Sequence, residues 1–134
     1  MRPGRKKSKR LAEAEWEIME GMWALEPRRA IREVHEHLYP NGEKAYTTVQ
    51  TVMNILADKG YLKREKVGGV NFFTALVSRE EVGRRETGML VSRIYRGAFG
   101  ALVTYLVDAG SFSKEELKQI KAQIEAKERE RRKP

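Results

Sequence analysis

Thr47, Thr48, Gln50, Thr51 and Asn54 fall within eight residues of chain, and each carries a short hydroxyl or amide. Such groups are poor nucleophiles and poor metal ligands. Their chemistry is hydrogen bonding at short reach, with little side-chain entropy to lose. A Gln or Asn amide can pair a donor and an acceptor with adenine, and a Thr methyl can meet the methyl of thymine. Interleaved with them, Val49, Val52, Met53 and Leu56 stand at i, i+3, i+4 and i+7. That spacing lays an apolar stripe along one side of a helix. The polar set, with Asp58, falls on the other side and its flanks. An ordinary amphipathic helix with a Thr-rich surface would show the same pattern, so the neighbouring elements decide.

Gly60 is expected to end this helix in the left-handed conformation. Thr47 and Gln50 also have the spacing of a capping box, which would occupy Gln50 at home. Tyr46, at the entrance, could contact phosphate or cover the core; covering the core is the preferred reading. Two helices are expected upstream. Residues 11–25 place Leu11, Ile18, Met22 and Leu25 on one stripe, widened by Trp16, Met19 and Trp23, with Gly21 a mild weakener. Ile31–Tyr39 places Ile31, Val34 and Leu38 inward, and Pro40-Asn41-Gly42 is strong turn punctuation. Downstream, residues 61–67 and 70–76 read as strands joined by Gly68-Gly69 as a two-residue hairpin turn. Helix, helix, helix, hairpin is the order of a winged helix-turn-helix.

Lys44 and Lys59 flank the third helix, and Lys63, Arg64 and Lys66 stand on the hairpin. Cations there suit a phosphate backbone. Edge strands also carry lysine simply to block aggregation, so each alone proves little.

Ser78-Arg79-Glu80-Glu81 is a capping box that opens a fourth helix, running to about Arg96. Gly83 and Gly88 within it would permit a bend or a close helix contact. Residues 98–107 are apolar almost all round, the mark of a buried helix. Ser113 and Glu116 form a second box, opening a last helix with Leu117, Ile120 and Ile124 inward. The expected fold is mostly α with a small β-hairpin: a basic arm (1–10), a winged helix (11–77) and a three-helix region (78–134). Residues 78–134 are too few to hide an all-round apolar helix among themselves. A second copy is the economical cover. Phe99, Leu102, Val103, Tyr105, Leu106, Leu117 and Ile120 are the expected dimer contacts.

The formal charge is +8, and Arg2, Arg5, Lys6, Lys7, Lys9 and Arg10 carry six of it, leaving +2 for the remainder. A basic arm on a nearly neutral body suits a polyanion, although a solvated tail would look the same. The absence of cysteine excludes disulfides and thiolate metal sites and suits a reducing cytoplasm. No apolar run approaches the roughly 20 residues of a membrane span, and no export signal is expected. GxSxG, HExxH and phosphate-cradling glycine loops are absent. His35 and His37, two apart, face different sides of a helix. No catalytic residue, metal or cofactor is therefore expected.

Several stretches resemble the BlaI/MecI penicillinase-repressor type of winged-helix regulator. Leu11–Trp23 resembles its first helix and Ile31–His35 its second. Ala45–Met53 with Lys59-Gly60-Tyr61 resembles its recognition helix and exit, the most specific of the signatures. Ala75–Glu81 resembles the junction after the wing, and Tyr95–Phe99 lies in the dimer region. The resemblance implies a homodimeric cytoplasmic repressor that binds inverted repeats in double-stranded DNA. It also implies release through cleavage by a membrane-bound sensor metalloprotease.

This chain departs from the pattern in three places. The family often carries a basic residue at the position of Ile55 and others near Ala57 and Asp58, whereas residues 45–58 here hold no cation. Well-studied members are cut at an Asn-Phe bond, for which the nearest equivalent is Tyr105-Leu106. A copper-responsive branch ends in a cysteine cluster, which this chain lacks. A protein-interaction module on the same fold, or a non-specific DNA packer, would share the composition and element order.

Overall fold

The computed structural model describes residues 10–133. The arm residues Arg2, Arg5, Lys6, Lys7 and Lys9 lie outside them. The chain divides into two compact units, one ending at Glu86 and the other beginning at Thr87.

Helix α1 (Glu13–Leu25) buries Ile18, Met19 and Met22, the stripe expected from its spacing. Its first turn is closed by Glu15, whose carboxylate accepts the Ala12 N–H at 2.7 Å. A short strand follows, β1 (Arg28–Ala30), running straight into α2 (Ile31–Leu38). Helix α3 (Tyr46–Lys59) buries Val49, Met53 and Leu56. It is succeeded by β2 (Leu62–Val67) and β3 (Val70–Ala75). Gly68 and Gly69 both hold positive φ, as a two-residue turn matching the strand twist requires.

The strands form one antiparallel sheet in the order β1-β3-β2. Strand β1 was not expected; it pairs Arg28 with Thr74 and Ala30 with Phe72. Leu62 opposes Ala75, Arg64 opposes Phe73 and Lys66 opposes Asn71. Because Leu62 and Phe73 are buried, the period of two puts Leu62, Arg64 and Lys66 on the side facing the helices. Lys63 and Glu65 take the other side. The sheet and α1–α3 enclose one core, in which Met19, Met22, Val34, Met53, Leu56 and Phe73 have no exposed surface. Trp23 ties α1 to the chain leaving β3, donating from Nε1 to the Val77 carbonyl at 2.9 Å.

Helix α4 (Arg79–Ile94) opens on the expected box: Ser78 Oγ accepts the Glu81 N–H at 3.0 Å, and Glu81 accepts the Ser78 N–H at 2.8 Å. Gly83 and Gly88 have no atom within 4 Å of where a Cβ would stand, so neither marks a close helix contact among the described residues of one chain. In the second unit, α5 (Phe99–Asp108) and α6 (Lys114–Arg132) bury no residue. The expectation that Leu117 and Ile124 face inward is not met within one chain, where they are 42% and 51% exposed. The reason is that α5 does not pack along α6: its own Phe99, Val103, Tyr105 and Val107 are exposed as well.

Candidate nucleic-acid interface

The polar face of α3 is set by how the helix begins and ends. Its N-cap is Ala45, without a side-chain bond, and the Thr48 N–H reaches the Ala45 carbonyl at 3.0 Å. Thr47 therefore lies inside the helix, and the box expected between Thr47 and Gln50 does not form. Thr47, Thr48, Gln50 and Thr51 are exposed side by side, and Asn54 is half-buried. The Thr51 hydroxyl donates to the Thr47 carbonyl at 3.0 Å, which spends its donor and leaves the oxygen able to accept. Asn54 Nδ2 donates to the Gln50 carbonyl at 3.0 Å, while Asn54 Oδ1 accepts from Arg64 Nη1.

A cleft of about 570 Å³ opens between this helix and the hairpin, lined by Arg32, Tyr46, Gln50, Gly69, Val70 and Asn71 among others. Tyr46 does not cover the core: it is 43% exposed and stands edge-on to the His35 ring at 6.0 Å. Arg32 was missed in the sequence, although Arg28, Arg29 and Arg32 place three cations in five residues. Arg28 is committed to the outer side of the sheet, 3.4 Å from Glu65 and 4.8 Å over the Phe72 ring.

The five cations picked out in sequence separate into four settings. Arg64 and Lys66 project on the helix side of the sheet, and Lys63 on the other. Lys44 is half-buried, 3.3 Å from Glu17 and over the Tyr39 ring at 5.4 Å. Lys59 is tucked in, its ammonium 2.9 Å from Glu15 and 3.0 Å from the Arg10 carbonyl. At the turn between α2 and α3, His35 Nε2 donates to the Lys44 carbonyl at 2.7 Å, and the Tyr39 hydroxyl donates to Glu17 at 2.5 Å. That bond, with help from Lys44, holds the Glu17 carboxyl below its ordinary range. Burial first, then the Glu17 contact, pushes the Tyr39 hydroxyl upward. The turn is thus braced by charge and hydrogen bonds where glycine and proline supply no packing.

The expected dimer residues fall on the two helices of the second unit: Phe99, Leu102, Val103, Tyr105 and Leu106 on α5, Leu117 and Ile120 on α6. Leu102, Leu106 and Ile120 are half-buried and the others exposed. No helix among the described residues is long and apolar enough to cross a membrane.

Two helices joined by a braced turn, a third in front of them and a two-residue hairpin at the flank define a winged helix-turn-helix. The chain belongs to the penicillinase repressor family, whose model matches residues 11–126. Its members are transcriptional repressors rather than enzymes. The chain is 22% identical over 115 residues to the methicillin resistance regulatory protein MecI of Staphylococcus aureus (strain N315), covering 86% of this chain and 93% of that protein. It is 26% identical over 122 residues to the transcriptional regulator BlaI of Mycobacterium tuberculosis (strain H37Rv), covering 87% and 86%. The solution structure of the DNA-binding domain of the repressor BlaI aligns with a TM-score of 0.49 and 28% identity, covering 57% of this chain and 92% of that one.

Proposed function

We propose that this protein is a homodimeric, cytoplasmic repressor that binds an inverted repeat in double-stranded DNA. The observation that carries the reading is the exposed, uncharged hydrogen-bonding face of α3 beside the cations of the hairpin. Thr47, Thr48, Gln50 and Thr51 meet base edges in the major groove, where short donors, acceptors and methyls distinguish base pairs. Lys66 and Lys63, on opposite sides of the hairpin, grip phosphate, and Arg32 does so from the cleft. Lys44 adds charge at the entrance of the helix. Lys59, spent on Glu15, holds the helix in place rather than the nucleic acid.

The exposed apolar residues of α5 and α6 support a two-fold dimer, which sets two copies of α3 against half-sites one or two DNA turns apart. Release by a sensor metalloprotease would have to act on this region. Its nearest equivalent bond, Tyr105-Leu106, lies inside the hydrogen-bonded helix α5, so cutting there requires local unwinding.

Selection of bound fragments from random duplex DNA, followed by footprinting, tests the reading. A repressor protects a short inverted repeat at nanomolar concentration. Indiscriminate coverage identifies a DNA packer instead, and no protection identifies a protein-interaction module.

A further inference from the structure

We infer that Arg64, carried on the hairpin, reads a base edge, and that Asn54 is the positioning residue that holds it there. The inference rests on the proposal that α3 enters the groove, and assigns two residues within it. Arg64 opposes the fully buried Phe73 across the sheet, so its side chain leaves on the helix side, where it reaches α3 at Asn54. Its Nη1 donates to Asn54 Oδ1, and Asn54 Nδ2 donates to the Gln50 carbonyl. A guanidinium only donates, so the group it meets on Asn54 is the oxygen, and this fixes which way the amide points.

The amide of Asn54 is therefore engaged at both ends. Pairing with adenine needs its oxygen and its nitrogen together, and with one partner already on each, only one N–H and one lone pair are left, in an orientation the protein fixes. Arg64 is in the opposite position. A guanidinium has five N–H donors in a rigid fork, and the bond to Asn54 uses one. The fork matches the paired acceptors O6 and N7 of guanine. Holding it against Asn54 restricts the rotamers of a long side chain before binding, which lowers the entropy lost on contact. Residues 45–58 carry no cation of their own. The hairpin brings one to the third turn of the helix, against Asn54.

The test uses the full chain and a duplex selected from random DNA, with Kd measured on that site, on single-base-pair variants of it and on an unrelated duplex. Arg64→Ala is expected to weaken the selected site about 5- to 150-fold, the range of one good base contact. It should remove the preference at one G·C pair and cost much less on unrelated DNA. Asn54→Ala should relax the preference at the same pair, and the double variant should bind no more weakly than Arg64→Ala alone. Arg64→Lys should keep the salt dependence but lose much of that preference, because it retains the charge without the fork.

If Asn54→Ala relaxes a different base pair and its effect multiplies with that of Arg64→Ala, Asn54 reads DNA itself and the inference is overturned. Equal weakening of every duplex by Arg64→Ala makes Arg64 a phosphate contact and overturns it too. A selection that returns no preferred sequence overturns the groove-facing reading beneath it, a separately visible failure.

Discussion

The ammonium of Lys59 lies 2.9 Å from both carboxylate oxygens of Glu15, joining the end of α3 to the start of α1. Both side chains are almost fully buried, 11% and 7% exposed, and Glu15 also closes the first turn of α1 by accepting the Ala12 N–H. Removing one partner of such a pair strands a charge in the interior, at a cost of about 3 kcal/mol or more. Lys59→Met should therefore lower stability by about that amount in urea denaturation at fixed protein concentration. Lys59→Met with Glu15→Leu should lose less than Lys59→Met alone, because no charge is left unpaired. If instead Lys59→Met melts like the wild type and flattens the salt dependence of DNA binding, the lysine belongs to the interface.

Where α3 stops is fixed just beyond Lys59. Gly60 holds φ +88°, with its N–H on the Ala57 carbonyl at 3.1 Å and the Tyr61 N–H on the Leu56 carbonyl at 2.9 Å. This double closure requires the left-handed conformation, which costs a residue with a Cβ about 1–2 kcal/mol. Gly60→Ala should destabilise the protein by roughly that much in thermal or urea melts. Gly60→Asn should lose less, since Asn tolerates the conformation better. Equal stability of all three would show that the helix exit can relax into another shape.

Much of this was legible because the signals are local. The stripe of Val49, Met53 and Leu56, the glycine pair of the hairpin and the Ser78 and Ser113 boxes each lie within a few residues of what they determine. What was not legible depends on distant partners. The three residues of β1 show no alternation, and their strand is defined only by β3, more than forty residues on. Lys59 resembles any exposed cation until folding brings Glu15 to it. Gly21 reads locally as a weak point of α1, yet a Cβ there would stand 2.8 Å from Leu38 Cδ1, so its role is close approach to α2. Asn54 and Arg64 were both picked out, but their bond to each other, which alters the role of each, depends on strand register.

The brace at the turn carries a pH signature. Glu17 has its folded pKa lowered from the ordinary 4.5, chiefly by the Tyr39 hydroxyl and then by Lys44. A depressed carboxylate contributes stability above its unfolded pKa and loses it as pH falls through the folded value. Glu17→Gln should therefore melt below the wild type at neutral pH, with the gap closing as the pH falls below the ordinary 4.5 and through the folded value. Tyr39→Phe should shrink the wild-type advantage by removing the main donor. A gap that persists unchanged in acid would assign the loss to packing rather than charge.

Ile55 is 40% exposed on α3, a helix with no cation along residues 45–58. If this surface lies along DNA, a cation introduced there gains a phosphate and releases counterions. Ile55→Arg should steepen the dependence of log K on log salt by about 0.9 and strengthen non-specific binding at low salt. Unchanged slopes on both selected and unrelated duplexes would place Ile55 away from the backbone.

The second unit makes the strongest demand for a partner. Phe99, Val103, Tyr105 and Val107 on α5 are 47–58% exposed, and Leu117 and Ile124 on α6 are 42% and 51% exposed. Six large apolar side chains on two helices without a buried residue suit association, and a two-fold axis doubles the effect of any substitution. The wild-type chain should sediment at twice its 15.5 kDa mass at micromolar concentration. Val103→Glu and Leu117→Glu should each weaken that association at least about tenfold, because each buries two carboxylates without partners. Lys118→Glu, beside Leu117 but exposed, should leave it nearly unchanged. A wild-type chain that sediments as a monomer at that concentration would remove the dimer, and with it the geometric reason for expecting an inverted repeat.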